Sequence, residues 1–194
     1  MVTIEQIKQL RDETGASPVK IKKALEESGE DFEKAKALLK TWGAIKAGEK
    51  STRETGDGII DFYIHPNAKT GVLLDIRCET DFVAASPEFK KLAHEICLQI
   101  AAMKPLFVSD SDIPPEFLDG ETKIYEKQAM DSGKTDEIVR QIVEGKLQKY
   151  KDSVCLLGQN WVKDDSKTIK NLIEDIVAKV GENIEVKRFV RYEV

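Results

Sequence analysis

VLLDIRCETDFVA, which spans Val72–Ala84, is the stretch that decides the fold. From Val72 to Cys78, apolar side chains recur at every second position, which is the period of a β-strand with one buried face. After Cys78 the alternation ends, and a carboxylate and an aromatic ring stand side by side as Asp81-Phe82. We expect a loop here, before the next helix begins, and loops at such junctions lie on the surface and often carry function.

Phe82 has two interpretations. Counting by two from Cys78 places Thr80 and Phe82 in phase with the apolar face of the strand, so the ring would fill the core. Alternatively, the ring is exposed beside Asp81 and acts as a wedge at a metal-bound or phosphate-bound site on another molecule. The spacing alone slightly favours the interpretation in which the Phe82 ring fills the core.

A β-hairpin and a third strand are predicted around this stretch. Ile60, Phe62 and Ile64 alternate with Asp61, Tyr63 and His65, so we expect the apolar set to face the core, with a turn over residues 66–71. The chain finishes on a strand over residues 184–194, in which Arg188 and Phe189 break the phase. A bulge or a contact on both faces would explain that break.

Helical periodicity fills the rest of the C-terminal region. Helices are predicted after Ser86-Pro87, over residues 115–131, after Thr135 and after Ser166, while residues 154–162 are expected to be irregular or briefly extended. About three antiparallel strands packed by helices make residues 58–194 an α+β core.

Residues 1–42 are predicted to form a separate module of three short helices. Thr3 and Gln6 fit a capping box, Gly15 ends the first helix, Ser17-Pro18 begins the second, and Asp31 caps the third. Residues 43–57 are rich in Gly, Lys and Thr, which predicts a linker, part of it helical.

Composition limits the partners. The net charge is −5, from 30 basic and 35 acidic residues, so a broad phosphate-binding surface, and with it direct nucleic-acid binding, is not expected. No apolar run reaches the length of a membrane span, and residues 1–5 resemble neither a secretory signal nor a transit peptide. Three widely spaced cysteines indicate free thiols in a reducing cytoplasm.

Motifs for catalysis are absent from the sequence. There are two histidines, no metal-ligand spacing and no nucleotide-binding glycine motif. We therefore expect neither an enzyme nor a cofactor or metal. His65 is expected to be structural or to contact a partner, and the basic run Lys20–Lys23 is either a solvated helix face or a contact for an acidic partner.

Four segments together resemble the bacterial elongation factor Ts family. They are Leu10–Ala16 with Lys22–Leu25, then Cys78–Ala84, then Ile142–Leu147, and finally Gly181–Ile184 with Arg188–Arg191. They span essentially the whole chain in the family's order. The resemblance implies a ubiquitin-associated-like helical module, a linker and an α+β core used for dimerisation and exchange.

The resemblance also implies a function and its residues. Members of this family exchange guanine nucleotide on elongation factor Tu, and Asp81 and Phe82 would reach its magnesium and phosphate site. The partner-binding residues expected by this resemblance are Thr80, Asp81, Phe82 and Val83 in the core, Arg11, Val19 and Lys23 in the module, and His65 at the hairpin. Ser17-Pro18-Val19 departs from the more flexible stretch of many members, which puts contacts there in question.

Length is the second departure. Longer members have a core of two related halves, and this chain has room for one, so the resemblance implies a homodimer in which a second copy supplies the missing half. The alternative is that one half suffices to bind one partner. A binding module without exchange activity remains a competing hypothesis, and it would not need the Asp81-Phe82 turn.

Overall fold

The computed structural model describes residues 3–130 and 135–194 and confirms an α+β fold. The α-helices of these residues are α1 Ile4–Thr14, α2 Pro18–Glu27, α3 Phe32–Lys50, α4 Asp81–Ala85, α5 Pro87–Met103, α6 Pro115–Met130, α7 Asp136–Val154 and α8 Ile169–Val180. The strands are β1 Asp57–Ile64, β2 Thr70–Cys78, β3 Asn160–Trp161, β4 Asp164–Thr168 and β5 Ile184–Glu193.

The main sheet is antiparallel, with the strand order β1-β2-β5. β3 and β4 form a small separate hairpin, which the sequence pattern had not predicted beyond a brief extended segment. This hairpin places the start of α8 at Ile169 rather than directly after Ser166, and Thr168 caps α8 through the Asn171 backbone N–H.

The N-terminal module forms the three predicted helices around its own small core. Thr3 and Gln6 make the capping box, Gly15 ends α1 in the left-handed conformation, and Asp31 accepts from the Lys34 backbone N–H at the start of α3. The buried residues that hold the module together are Leu10, Ile21, Ala24, Leu25, Ala35 and Leu39.

Helix α3 runs on to Lys50, well into the segment whose composition indicated a linker. Ala47 and Lys50 are buried at its C-terminal end, and a Cβ placed on Gly43 would lie 3.4 Å from the Ala178 side chain of α8. Because this half of α3 packs on α8, tertiary contact outweighs the low helix propensity of Gly43 and Gly48. One continuous helix therefore joins the module to the core.

The core lies between one face of the sheet and helices α5 and α8. β2 contributes Val72, Leu74, Ile76 and Cys78, as its alternation predicted. For β1 the expected phase was wrong: Ile60, Phe62 and Ile64 are exposed, and Ile59 and Tyr63 pack against the core instead. The register explains this, because Phe62 pairs with Leu73, which also faces outward.

A β-bulge in β5 accounts for the broken phase near Arg188. Ile76 pairs with Val186 and Asp75 pairs with Arg188, so Lys187 is an extra residue between the two pairs. The bulge turns Phe189 towards the core and leaves Val190 and Tyr192 on the outer face.

Helices α6 and α7 pair with each other through a satellite cluster of Ala129, Val139 and Val143. At the base of this helical hairpin, the Phe117 ring meets the Phe107 ring edge to face, with centroids 5.4 Å apart, and stacks with the Tyr150 ring at 6.2 Å.

Candidate partner-binding turn

The Thr80–Ala84 stretch is a one-turn helix rather than the loop that the alternation predicted. β2 ends at Cys78, and Thr80 is the N-cap of α4, with its hydroxyl 3.5 Å from the Val83 backbone nitrogen. The sheet thus ends before Phe82, which is the condition for its ring to be free.

Phe82 is 84% exposed, so the interpretation of this ring as a core plug is wrong. The strand period of two does not extend into α4, where side chains are about 100° apart around the axis. Ala84 is buried and Thr80 and Val83 are half-buried, while Asp81 and Phe82 point to solvent. Helical geometry therefore displays the carboxylate and the ring together.

Glu182 anchors this turn from the loop between α8 and β5. One of its carboxylate oxygens accepts from the Thr80 backbone N–H at 3.0 Å, and the other accepts from the Thr80 hydroxyl at 2.7 Å. Hydrogen bonds to an ionised acceptor are stronger than neutral ones. Thr80 is therefore held at both its backbone and its side chain.

Glu79 and Asn183 form a second anchor beside the first. The Asn183 backbone N–H donates to Glu79 at 2.6 Å, and the Asn183 side-chain amide donates to the Arg53 and Ser51 carbonyls at 2.8 and 3.4 Å. Arg53 also pairs with Glu79 at 3.5 Å. These contacts tie the chain that leaves α3 to the residue before the turn.

Two further contacts fix the ends of α4. The Cys78 thiol donates to the Thr80 carbonyl at 3.2 Å, and burial, followed by the charge of Glu182, raises the pKa of that thiol. At the other end, the Ser86 hydroxyl donates to the Val83 carbonyl at 2.7 Å and accepts from the Phe89 N–H, which joins α4 to α5. A neutral Cys78 thiol is a structural donor here and not a nucleophile.

The expected partner-binding residues of the module are exposed on α1 and α2. Arg11 lies in the last turn of α1, and Val19 is 79% exposed at the start of α2, just after Pro18. Lys23 pairs with Glu27 at 3.7 Å and sits over the Trp42 ring at 5.4 Å. Lys22 pairs with Glu26 in the same way, so both interpretations of the basic run stay open.

His65 lies at the opposite end of the sheet from the turn. Its backbone N–H donates to the Thr70 carbonyl, and its ring meets the Tyr63 ring at 6.3 Å. Because β2 separates Thr70 from Cys78, His65 is roughly 25 Å from α4. The structure therefore groups Thr80, Asp81, Phe82 and Val83 but places His65 apart from them.

The anchoring residues Glu182 and Asn183 were not singled out as site residues from the sequence. They lie about a hundred positions from the turn, and no local periodicity connects the two segments. Among residues 3–130 and 135–194, no group of His, Cys, Asp or Glu side chains is arranged to hold a metal ion. Within the same residues, no helix has the length and apolar character to cross a membrane.

The fold and the turn define an α+β protein with an N-terminal three-helix module and a displayed aromatic side chain. The family model described as Elongation factor TS matches residues 20–194. The chain therefore belongs to the elongation factor Ts family, which assigns it to the elongation step of translation.

Similar proteins cover nearly the whole chain. Elongation factor Ts of Coprothermobacter proteolyticus is 52% identical over 191 residues, which are 98% of this chain and 97% of that protein. Elongation factor Ts of Rubrobacter xylanophilus is 50% identical, with 98% of each covered. Elongation factor Ts of Thermotoga maritima is 48% identical over 100% of this chain and 96% of its own length.

Proposed function

We propose that this protein is a guanine-nucleotide exchange factor that binds elongation factor Tu carrying GDP and promotes GDP release. The observation that carries this proposal is the Phe82 ring, almost fully exposed on a turn that is anchored at both ends. An apolar ring exposed to water contributes little to the stability of its own fold, whereas burying it in a partner stabilises the complex by about 1.5–3 kcal/mol.

The mechanism follows from thermodynamic linkage. A ligand that stabilises the nucleotide-free state of elongation factor Tu weakens nucleotide binding by the same factor. Phe82 wedges between side chains of the partner and shifts the elements that hold its magnesium and phosphate. Asp81 acts next to it, by adding negative charge or by redirecting a hydrogen bond. GTP, which is more abundant in the cell, then binds and displaces the factor.

The N-terminal module has a supporting role in this proposal. It resembles ubiquitin-associated domains and grips the partner away from the nucleotide through Arg11, Val19 and Lys23, and thereby contributes affinity without chemistry. No covalent step is required, so the protein acts as a binding factor rather than as an enzyme. It acts in the cytoplasm, where translation elongation takes place.

We infer that the working form is a homodimer that buries the outer face of the sheet. Two rows of cross-strand neighbours make one end of this face apolar, Phe62–Leu73–Val190 and Ile64–Gly71–Tyr192. Phe62 is 62% and Tyr192 71% exposed. An exposed apolar patch of this kind marks an interaction surface, and a two-fold axis would pair the face with itself by sheet-on-sheet packing.

The exchange function is tested by loading elongation factor Tu of the same organism with fluorescent GDP and chasing with unlabelled nucleotide in a stopped-flow instrument. We expect GDP release to accelerate with increasing factor and then to saturate. An unchanged release rate together with measurable binding would overturn exchange in favour of a simple binding module.

A further inference from the structure

The Gly181–Asn183 loop after α8 binds Glu79 and Thr80, the two residues immediately before α4. The Glu182 carboxylate binds the Thr80 N–H and hydroxyl, and the Asn183 N–H binds the Glu79 carboxylate. All four residues are partly or fully shielded from solvent. The contacts therefore form a compact network beneath α4.

Helix α4 needs such a network because it cannot sustain itself. It has five residues, and only Ala84 among them is buried. A single isolated helical turn is unstable in water, because the conformational entropy lost on nucleation exceeds the stabilisation from the hydrogen bonds of one turn. The bonds that fix Thr80, the N-cap residue, therefore help to order Asp81 and Phe82, together with the packing of Val83 and Ala84 against the core.

The network also reaches the end of α3. Lys50 is buried, and a Cβ placed on Gly181 would lie 3.6 Å from its ammonium nitrogen. Gly181 itself has a φ of +85°, a left-handed conformation that favours glycine. The Gly181–Asn183 loop thus touches the end of α3 on one side and the turn on the other.

We propose that Glu182 and Asn183 are positioning residues for nucleotide exchange, which hold Thr80 so that Asp81 and Phe82 are presented in one orientation. This inference rests on the proposed exchange function. A side chain fixed before binding loses less entropy when the partner closes around it. Neither residue has to touch the partner for this effect.

Removal of the Glu182 carboxylate should lower the maximal GDP-release rate and leave the half-saturating concentration of the factor nearly unchanged. Without Glu182, α4 samples other conformations and Phe82 is seldom presented correctly, so the maximal GDP-release rate at saturating factor falls. The module still grips the partner, so the half-saturating concentration changes little. A general loss of folding would instead lower the active fraction and leave the maximal rate intact.

The experiment uses the full-length chain with Glu182→Ala, Glu182→Gln and the control Glu185→Ala. Glu185 lies three positions further along, carries the same charge and accepts a hydrogen bond from the Thr55 hydroxyl at 3.0 Å, away from α4. We expect Glu182→Ala to lower the maximal release rate about tenfold, Glu182→Gln to lower it less, and Glu185→Ala to leave it unchanged.

Amide hydrogen exchange of the free protein provides a readout that does not depend on elongation factor Tu. Glu182→Ala should speed exchange of the Val83 and Ala84 amides about tenfold or more, while amides of α5 keep their protection. Thr80→Val, which replaces the hydroxyl by a methyl group, should shift the same amides. Its effect should add only in part to that of Glu182→Ala, because the two variants share the loss of the hydroxyl–carboxylate bond, while Thr80 also caps Val83 and Glu182 also binds the Thr80 N–H.

The two proposals fail in different ways. If the wild-type chain does not accelerate GDP release, the exchange function is overturned, and the α4 amides still report whether Glu182 orders the turn. If the wild-type chain is active and Glu182→Ala matches it in maximal rate and in amide exchange, the positioning role is overturned. If Glu182→Ala fails to fold, Glu182→Gln and Thr80→Val decide by the same two measurements.

Discussion

Phe82 and Phe89 lie in consecutive helices, yet the Phe82 ring is 84% exposed and the Phe89 ring is fully buried. The Ser86 hydroxyl joins the two helices by accepting from the Phe89 N–H and donating to the Val83 carbonyl. The buried Phe89 ring therefore secures α5, which supports α4, and α4 displays the Phe82 ring to solvent. This pairing provides a matched test of function against stability.

Phe82→Ala should leave the fold intact and slow exchange. Since the ring makes little contact with its own chain, the free energy of unfolding should change by less than about 0.5 kcal/mol. Loss of a buried contact in the partner should slow GDP release by roughly 10-fold or more. Thermal unfolding and stopped-flow release of fluorescent GDP measure the two effects.

Phe89→Ala is the control for Phe82→Ala. Truncation of this buried ring should destabilise the protein by about 3–5 kcal/mol. A large stability loss in Phe82→Ala, or an unchanged release rate, would contradict the wedge.

Asp81→Asn should distinguish the two roles considered for the carboxylate. If negative charge near the partner's magnesium is what matters, Asn should slow GDP release as much as Ala does, because both remove the charge. If Asp81 redirects a hydrogen bond, the Asn carbonyl oxygen can still accept, and Asn should retain most of the rate. We expect the charge effect to dominate, and we expect added salt to reduce it. Equal rates for wild type and Asn would contradict that expectation.

Leu73→Lys should dissociate the proposed dimer without unfolding the chain. Leu73 lies half-exposed between Phe62 and Val190 on the outer face, so the monomer tolerates a lysine there. At a closed apolar interface the same charge would be unpaired, which raises the dissociation constant by about 100-fold or more. Analytical ultracentrifugation at micromolar concentration measures the mass.

Ile45→Lys is the control for the dimer. Ile45 is exposed to a similar extent but lies on α3 and off the sheet. The Ile45→Lys substitution should leave the dimer intact. A wild-type chain that sediments as a monomer would contradict the proposed homodimer.

The outer face also shows where sequence reasoning reached its limit. Alternation correctly predicted strands around Ile60, Phe62 and Ile64, but it placed their apolar side towards the core. Both faces of β1 carry apolar side chains, because Ile59 and Tyr63 pack against the core while Ile60, Phe62 and Ile64 are exposed on the other side. A period of two shows that an apolar face exists and does not show what covers it.

Contacts between segments far apart in the sequence could not be predicted either. The fold class and the caps at Thr3, Gly15 and Asp31 depend on local patterns and could be predicted from nearby residues. The bulge was one of two alternatives that the broken phase allowed. The continuation of α3 to Lys50 depends on packing against α8, and the hold of Glu182 on Thr80 joins segments about a hundred positions apart. No local preference encodes either contact, and the turn therefore looked like a loop.

Stability at low pH should depend on Asp75. This carboxylate is buried on the outer face between Arg77, at 2.5 Å, and Arg188, at 3.3 Å. The hydrogen bond from Arg77, with the charges of both guanidinium groups, holds the pKa of Asp75 below its usual value of 3.8. The folded state therefore binds this proton less readily than the unfolded state does. The stabilisation is fully present above the unfolded pKa, near pH 4, and is lost as the pH falls through the lower folded pKa.

Asp75→Asn should remove that acid-dependent part of the unfolding free energy. At pH 7 the variant should be less stable by about 1.5–3 kcal/mol, because it loses charge-assisted hydrogen bonds to two guanidinium groups. The difference from wild type should shrink as the pH falls below about 4, where Asp75 of the unfolded chain begins to bind a proton, and should vanish only below the lower pKa of the folded state. Urea unfolding at a series of pH values measures both curves, and parallel curves through this range would show that Asp75 does not carry the dependence.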